Sequence, residues 1–456
     1  MTTSFAFHKV GRPALAVLGL GLGLAGCQTN IDGPTASPGS LDFTSYVAVG
    51  NSLTSGYTDG GLFNEGQATS FPALLAQQFA KTGKGPATFV QPAFSTAKKD
   101  GSGYVKLQIV NGALAPVVPS AANNFLGEQV AYTGTTLPGG GQLEAYSGPQ
   151  PDNLGVPGIS VLSSVSSLTG GLAPYGLINQ FYERLLTAAE KPTKDYVTYI
   201  GQKTPTFFTC WMGNNDVLTY ASNGGVVAAT NPFGGLTDTT RFGIGYRAIL
   251  GTISKNGTVK GAAANIPNVT SLPYFNTVTV AAVLASYKAA GIPITAIYVT
   301  ARTAATTATT AARVATATDL LTLTTQAYIA ANLGKGTSSA NPIPSDYVLD
   351  PIEQAEVTSR TTQLNAIIAK TAQRFKVPVV DANSFLTGVA ASGIYTNGVN
   401  NTATFASGNF FGLDGVHPTP RGYAIIANEW IRVINAYYGA SVPGVNANDY
   451  RGVLLP

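Results

Sequence analysis

Residues 46–53 read Tyr-Val-Ala-Val-Gly-Asn-Ser-Leu. The first five residues are apolar, which is typical of a short buried strand. A Gly-Asn-Ser turn follows, so Ser52 lies just past the carboxyl end of that strand. Open α/β folds gather their functional groups at this edge of a parallel sheet. The stretch therefore predicts the first strand of such a fold and a functional position at Ser52.

Apolar runs and helical spacing alternate through the rest of the chain. Further strands are predicted at 206–212, 259–266, 294–300 and 377–381. Helices are predicted from 70, over 175–189 and 351–375, and after Thr419, with Pro420 at the first helical position. This alternation favours a parallel sheet covered on both faces. Residues 95–150 are predicted to form an elaborated loop or small β excursion, and the Ala- and Thr-rich residues 301–318 fit either a helix or a mobile segment.

The N-terminus carries the pattern of an export signal. Lys9 and Arg12 precede an apolar run over 14–25 that is shorter than the roughly 20 residues needed to span a bilayer. The run ends in Leu-Ala-Gly-Cys27, which resembles the lipobox of bacterial lipoproteins. That resemblance implies a signal peptide over 1–26, lipid on Cys27 and a tether up to residue 43. Gln28 stands where a retention signal usually has Asp, which points to the outer membrane of the cell envelope.

Composition excludes several classes of function. Without residues 1–26 the chain has 24 basic and 22 acidic residues, and this balance does not favour nucleic-acid binding. Cys210 is then left without a partner for a disulfide within the chain. No group of cysteines and histidines is spaced to hold zinc, so we expect no metal site or cofactor, although a calcium site of carboxylates alone stays open.

Three further motifs follow the first in order: residues 153–158, Asn-Leu-Gly-Val-Pro-Gly; residues 213–216, Gly-Asn-Asn-Asp; and residues 414–417, Asp-Gly-Val-His. Each is weak alone. Together with residues 50–53 they resemble the four signature blocks of SGNH, or GDSL-type, esterases and lipases. The resemblance covers residues 44–440. It implies a flavodoxin-like three-layer sandwich with a central parallel sheet, insertions near 95–150 and 220–350, and a tail over 441–456.

A serine hydroxyl is a weak nucleophile unless a base lies within hydrogen-bond reach. The chain has two histidines, and His8 lies in the signal peptide, so His417 is the expected base for Ser52. Asp414, three residues earlier, is expected to accept the other ring N–H and fix the tautomer. By resemblance, the oxyanion hole comes from the backbone N–H groups of Ser52 and Gly158 and the side-chain amide of Asn215.

Two positions depart from the family pattern. Asn51 replaces the usual Asp, which keeps the shape but removes a charge, and Pro157 stands where Ser is common. Neither change removes one of the expected catalytic groups. Asn214 occupies the variable position of the third block, so Asn215 is the expected amide donor.

These motifs indicate ester hydrolysis through an acyl-Ser52 intermediate. Several aromatic residues near the motifs are candidates for an apolar acyl groove: Tyr57, Phe63, Tyr274, Phe275, Phe410 and Phe411. In that role they favour a lipid or aryl ester, although core packing is the commoner role for most of them. Two other hypotheses stay open: a carbohydrate acetyl esterase, and a non-catalytic surface lipoprotein that keeps the fold for binding, for which Asn51 is the support.

Overall fold

The computed structural model describes residues 35–456 apart from 111–112, 118–128, 134–141, 166–178, 230 and 305–308. The strands of this part are β1 (Tyr46–Gly50), β2 (Lys106–Val110), β3 (Ala113–Val117), β4 (Tyr132–Thr133), β5 (Gln142–Leu143), β6 (Phe207–Trp211), β7 (Lys260–Ala264), β8 (Tyr298–Arg302), β9 (Thr310–Val314), β10 (Leu320–Leu321), β11 (Val348–Leu349), β12 (Val379–Val380), β13 (Ile394–Thr396) and β14 (Val399–Asn401). The helices are α1 (Ser52–Ser55), α2 (Asn64–Ala68), α3 (Phe71–Ala80), α4 (Gln180–Glu183), α5 (Tyr196–Gly201), α6 (Asn215–Ser222), α7 (Thr239–Ile253), α8 (Pro273–Asn276), α9 (Val280–Ala289), α10 (Thr325–Ala331), α11 (Pro351–Arg374), α12 (Ala382–Ser392) and α13 (Pro420–Tyr438).

A parallel sheet of order β1-β6-β7-β12 forms the centre of the fold. Successive residues of β6 face opposite sides, as a strand requires. The Trp211 ring contacts Phe71 of α3 and Trp430 of α13, whereas Cys210 lies near the Tyr196 and Tyr246 hydroxyls of α5 and α7. Helices therefore cover both faces, and the predicted α/β fold with a central parallel sheet is confirmed.

The predicted helix starts agree with the capping groups. Thr419 accepts the Gly422 N–H ahead of α13, with Pro420 at the first helical position. Asp350 and Glu353 form a reciprocal capping box at the start of α11, which stabilises the longest of the described helices.

The helix predicted over 175–189 is wrong in its described part, because only Gln180–Glu183 are helical. The backbone carbonyl of Arg184 accepts the N–H of Tyr146, which belongs to a distant loop, and not an N–H of a following helical turn. The Arg184 guanidinium is buried and donates to the carbonyl of Glu144. Tertiary hydrogen bonds therefore override the local helical spacing.

The expected insertion over 220–350 is also too broad. Helix α7 and strand β7 lie inside it and belong to the central fold. The signal of β7 is weak because its residues are small; a Cβ on Gly261 would approach the Phe208 ring to 2.4 Å. A second apolar cluster instead lies within residues 278–348, formed by Val278, Val283, Tyr287, Ile297, Val299, Ala301, Leu321, Ile329, Ile343 and Val348.

The strand expected at 294–300 lies outside the central sheet. It appears as β8, which pairs antiparallel with β9. The Ala- and Thr-rich stretch therefore contributes to a hairpin, an outcome that fits neither a helix nor a mobile segment. Residues 95–150 include the antiparallel pairs β2-β3 and β4-β5, as expected for a small β excursion.

Both ends of the described chain pack onto the domain, and residues 36–456 form one compact unit. Phe43, assigned to the tether, is fully buried and stacks on Phe79. Val442 of the expected tail is 3% exposed, and Ser37 pairs with Ser441. The expected signal peptide over 1–26 and Cys27 lie outside the described residues. None of the described helices has the length and apolar character needed to cross a bilayer.

Candidate active site

Ser52 is the first residue of the single-turn helix α1, directly after β1. Asn51 caps this turn, because its side-chain oxygen accepts the Leu53 N–H at 3.1 Å. The first N–H groups of a helix have no acceptor within the helix, so the turn presents the Ser52 N–H beside its own hydroxyl. Asn51 is fully buried and its amide nitrogen has no partner among the described residues. The side chain thus performs the capping role without a carboxylate charge.

A tight loop before α13 carries Asp414 and His417. One Asp414 carboxylate oxygen accepts the backbone N–H groups of Val416 and His417, both at 2.8 Å. Gly415 has φ +70, and a Cβ there would lie 2.9 Å from the Tyr274 nitrogen. Glycine is therefore required for the turn that folds the imidazole back onto the carboxylate.

The structure brings Ser52, His417 and Asp414 together although 365 residues separate the serine from the histidine. His417 Nε2 lies 2.8 Å from Ser52 Oγ, and His417 Nδ1 lies 2.8 Å from the second Asp414 oxygen. These are hydrogen-bond distances. The Tyr57 ring lies 4.7 Å from the imidazole ring and packs beside this chain of groups.

The loop over 153–158 runs beside β1 and places Gly158. Val156 N–H donates to the Gly50 carbonyl, and the Asn153 side chain donates to the Thr54 carbonyl at 2.8 Å. Both bonds join the loop to the segment that carries Ser52. Gly158 has φ +79, a conformation that favours glycine.

The third motif begins α6 directly after β6. The Asn215 amide donates one bond, to the Ile159 carbonyl at 2.8 Å, which leaves its second N–H for another acceptor. Asp216 is fully buried and accepts the N–H groups of Val161 and Leu162. It therefore ties this motif to the loop that carries Gly158. The Asn214 amide is buried and has no partner among the described residues.

One cleft of about 370 Å³ collects these groups. It is lined by Ser52, Tyr57, Pro157, Gly158, Asn179, Gln180, Phe181, Asn215, Leu218 and His417. The expected nucleophile, base and oxyanion donors thus share one cavity. A larger cleft of about 920 Å³, between residues 271–277 and 387–405, contains none of them. Because the smaller of these two clefts contains the expected catalytic groups, it is the candidate active site.

A family model for GDSL-like lipase/acylhydrolases matches residues 46–430. The chain belongs to the GDSL-like lipase/acylhydrolase family. No curated protein matches it in sequence. Among solved structures, it is similar to an extracellular lipase from Streptomyces rimosus, with 11% identity, coverage of 86% of this chain and 99% of the other, and a TM-score of 0.29.

In this family member, Asp414 is held as an anion. Burial raises the pKa of its carboxyl, but the His417 imidazole and the backbone N–H groups of Val416 and His417 outweigh burial and lower it. Gly60 N–H also donates to Asp414, at 2.8 Å. The carboxylate is therefore ionised at neutral pH, as required of a group that orients an imidazole.

Sequence reasoning missed a second carboxylate behind this one. Asp59 accepts the Leu413 N–H at 2.8 Å, and burial raises its pKa to about 6. Arg451 lies 3.6 Å from Asp59 and donates to Glu65. No sequence motif marks these residues. Arg451 also comes from the segment over 441–456 interpreted as a tail. They support the loop that carries Asp414.

The aromatic residues near the motifs divide between the site and the core. Tyr57 lines the cleft, whereas Phe63, Phe275 and Phe410 are at most 2% exposed. Tyr274 donates its hydroxyl to the Ser222 carbonyl. Most of the expected acyl groove is therefore core packing. Among the described residues, no group of three or more His, Cys, Asp or Glu is placed to hold a metal ion.

Asp216 makes a testable contribution to pH-dependent stability. Burial raises the pKa of its carboxyl to about 6, well above the ordinary value for an aspartate, so the folded state binds the proton more tightly than the unfolded state does. Stability from this group is complete below about pH 4 and is lost as pH rises through 6, by roughly 3 kcal/mol. Urea unfolding at pH 4.5 and 7 measures this loss, and Asp216→Asn should make the difference smaller by about that amount, while the contribution of Asp59 remains. Parallel pH dependence in both proteins would contradict the assignment.

Proposed function

We propose that the chain is a serine ester hydrolase that acts through an acyl-Ser52 intermediate. The observation that carries the proposal is the pair of 2.8 Å contacts that links Ser52, His417 and Asp414 in a cleft lined also by Gly158 and Asn215. Family membership supports acyl transfer as the reaction class.

In the first half-reaction Ser52 Oγ attacks the ester carbonyl carbon and its proton passes to His417 Nε2. Asp414 holds the Nδ1–H and stabilises the imidazolium. The carbonyl oxygen becomes an oxyanion that accepts hydrogen bonds from the N–H groups of Ser52 and Gly158 and from the Asn215 amide. When the intermediate collapses, the alcohol leaves with the proton from His417.

The second half-reaction repeats these steps with water. His417 takes a proton from water, which attacks the acyl carbon of acyl-Ser52. Collapse of the second tetrahedral intermediate returns the proton to Ser52 Oγ and releases the acid. The proton transfers use Ser52, His417 and Asp414, which already lie within hydrogen-bond reach of one another in that order.

Covalent labelling tests the nucleophile. The native chain should react with a fluorophosphonate at Ser52, because His417 can accept the serine proton. Ser52→Ala should not be labelled, and Ser55→Ala, one helical turn away, is the matched control that should keep the label. Mass spectrometry locates the adduct. An unlabelled native chain would favour the non-catalytic alternative.

We also propose that the hydrolase is a lipoprotein anchored through Cys27 in the cell envelope, at the outer membrane. The support is the charge pattern and the Leu-Ala-Gly-Cys27 sequence. More than one acyl chain would hold the protein stably at the membrane. Native protein should sediment with membranes and be released by detergent, and Cys27→Ala should remain in the supernatant. Equal sedimentation of both would refute anchoring at this residue.

A further inference from the structure

Ser52 and His417 also line a second pocket, of about 30 Å³. Asn214 and Asn215 contribute its other polar groups. The rest of its lining is apolar and includes Leu272, Leu386 and Phe411. The proposed nucleophile thus lies at the junction of a small apolar pocket and the larger cleft.

The two halves of an ester have different requirements in a reaction with a covalent intermediate. The acyl group remains attached to Ser52 after the first step, while the alcohol must leave and water must reach the acyl carbon. A cleft with room for exchange suits the alcohol and the water. A small apolar pocket suits an acyl group that stays in place.

We propose that the small pocket is the acyl site and that the chain hydrolyses esters of acetic acid, and of acids scarcely longer, with bulky alcohols. This inference rests on the proposed function of Ser52 and names the substrate class of the same site. It opposes the long-chain lipid ester that the sequence favours and supports the acetyl esterase alternative.

The size of the pocket sets the limit on the acyl group. Its volume of about 30 Å³ compares with about 370 Å³ for the larger cleft, so the small pocket has room for a short acyl group only. The acetyl methyl group fits, whereas an octanoyl chain requires the walls to move. Leu272, Leu386 and Phe411 are each at most 5% exposed and belong to the main hydrophobic core. Forcing extra methylenes into such packing is unfavourable.

The larger cleft has the room and the chemistry for the alcohol. Its volume is about 370 Å³, and the Tyr57 and Phe181 rings meet edge to face at 5.9 Å on its lining. Gln180, partly exposed, adds a polar side chain. An alcohol with both apolar and hydrogen-bonding groups matches this lining.

The acyl-length dependence of hydrolysis tests the proposal on the full native chain. In p-nitrophenyl acetate, butyrate and octanoate the alcohol is constant, so kcat/KM reports the acyl site alone. An open apolar groove would raise kcat/KM by about fourfold per methylene. We expect the opposite slope, with butyrate about tenfold below acetate and octanoate lower still. Values that stay level or rise with length would overturn the inference.

Pocket variants locate the restriction. Leu386→Ala and Leu272→Ala each shorten a side chain of the pocket wall and enlarge the pocket. Each should raise the ratio of kcat/KM for butyrate to that for acetate about fivefold or more. Leu364→Ala, a buried leucine of α11 away from the pocket, is the matched control and should leave the ratio unchanged. An equal rise in the control would overturn the assignment of the pocket. If the alanine variants do not fold, the native chain-length series still decides.

The series also separates failure of this inference from failure of the proposed function. Hydrolysis of octanoate above acetate, absent from Ser52→Ala, would overturn the acyl site and leave the serine hydrolase intact. Preference for methyl octanoate over p-nitrophenyl acetate would show that the two pockets hold the opposite halves of the ester. Hydrolysis of no ester above the Ser52→Ala background would overturn both.

Discussion

His417→Ala is expected to lower kcat/KM for an activated ester by about 10⁴-fold or more. The imidazole is the base within 2.8 Å of Ser52 Oγ, and the only other histidine of the sequence, His8, lies in the expected signal peptide. No second imidazole of the described chain can replace it. Residual hydrolysis should come from the oxyanion hole and substrate binding alone.

The folded state should tolerate this change. The backbone contacts of His417 with Asp414 and Gly412 do not involve the imidazole. Loss of the imidazole bond to the partly buried Asp414 should lower the free energy of unfolding by about 1–3 kcal/mol, as urea unfolding measures, and the protein should remain folded. His8→Ala is the matched control for removal of a histidine and should retain full activity. Substantial hydrolysis by His417→Ala would mean that the site has another base.

Asp414→Asn is expected to have the second largest effect, a loss in kcat of about 10⁴-fold at nearly unchanged shape. One carboxylate oxygen accepts two backbone N–H groups, and the other accepts Gly60 N–H and faces His417 Nδ1. The asparagine amide replaces one carboxylate oxygen, which is an acceptor, by an NH₂ group, which is a donor. If its nitrogen faces the imidazole, Nδ1 must be the acceptor, and Nε2 then carries the proton and cannot receive that of Ser52.

The neighbouring carboxylate supplies the control for this prediction. Asp59 is also buried and also bonds to the same loop, through Leu413, but it does not contact the imidazole. Asp59→Asn should therefore reduce kcat far less than Asp414→Asn does. Steady-state kinetics on both variants, with circular dichroism to establish folding, make the comparison. Equal losses would assign Asp414 a structural role only.

Local sequence was sufficient for the elements whose signals are local. Apolar strands followed by turns placed Ser52 and Asn215 just past β1 and β6, because period and turn chemistry act over a few residues. The capping residue Thr419, followed by Pro420, marked the start of α13 for the same reason. Strand β7 has a weak sequence signal because its residues are small. At Gly261 the Phe208 ring of the adjacent strand leaves no room for a Cβ.

Other errors came from long-range bonds. The helix over 175–189 failed because the Arg184 carbonyl accepts Tyr146 N–H. Of the aromatic residues considered for an acyl groove, most have the commoner role of core packing, and sequence alone does not separate the two roles. Burial distinguishes the two roles, and burial depends on which elements pack together.

By itself, the sequence determined the family, the central parallel sheet and the order of the four motifs, since motif residues and apolar periodicity are local properties of the chain. Tertiary structure alone decided that Ser52 Oγ and His417 Nε2 lie 2.8 Å apart across 365 residues. It also decided that Asp59 and Arg451 support the Asp414 loop and that the pocket beside Ser52 is small. Distances and volumes of this kind arise from packing between distant segments, which no local pattern records.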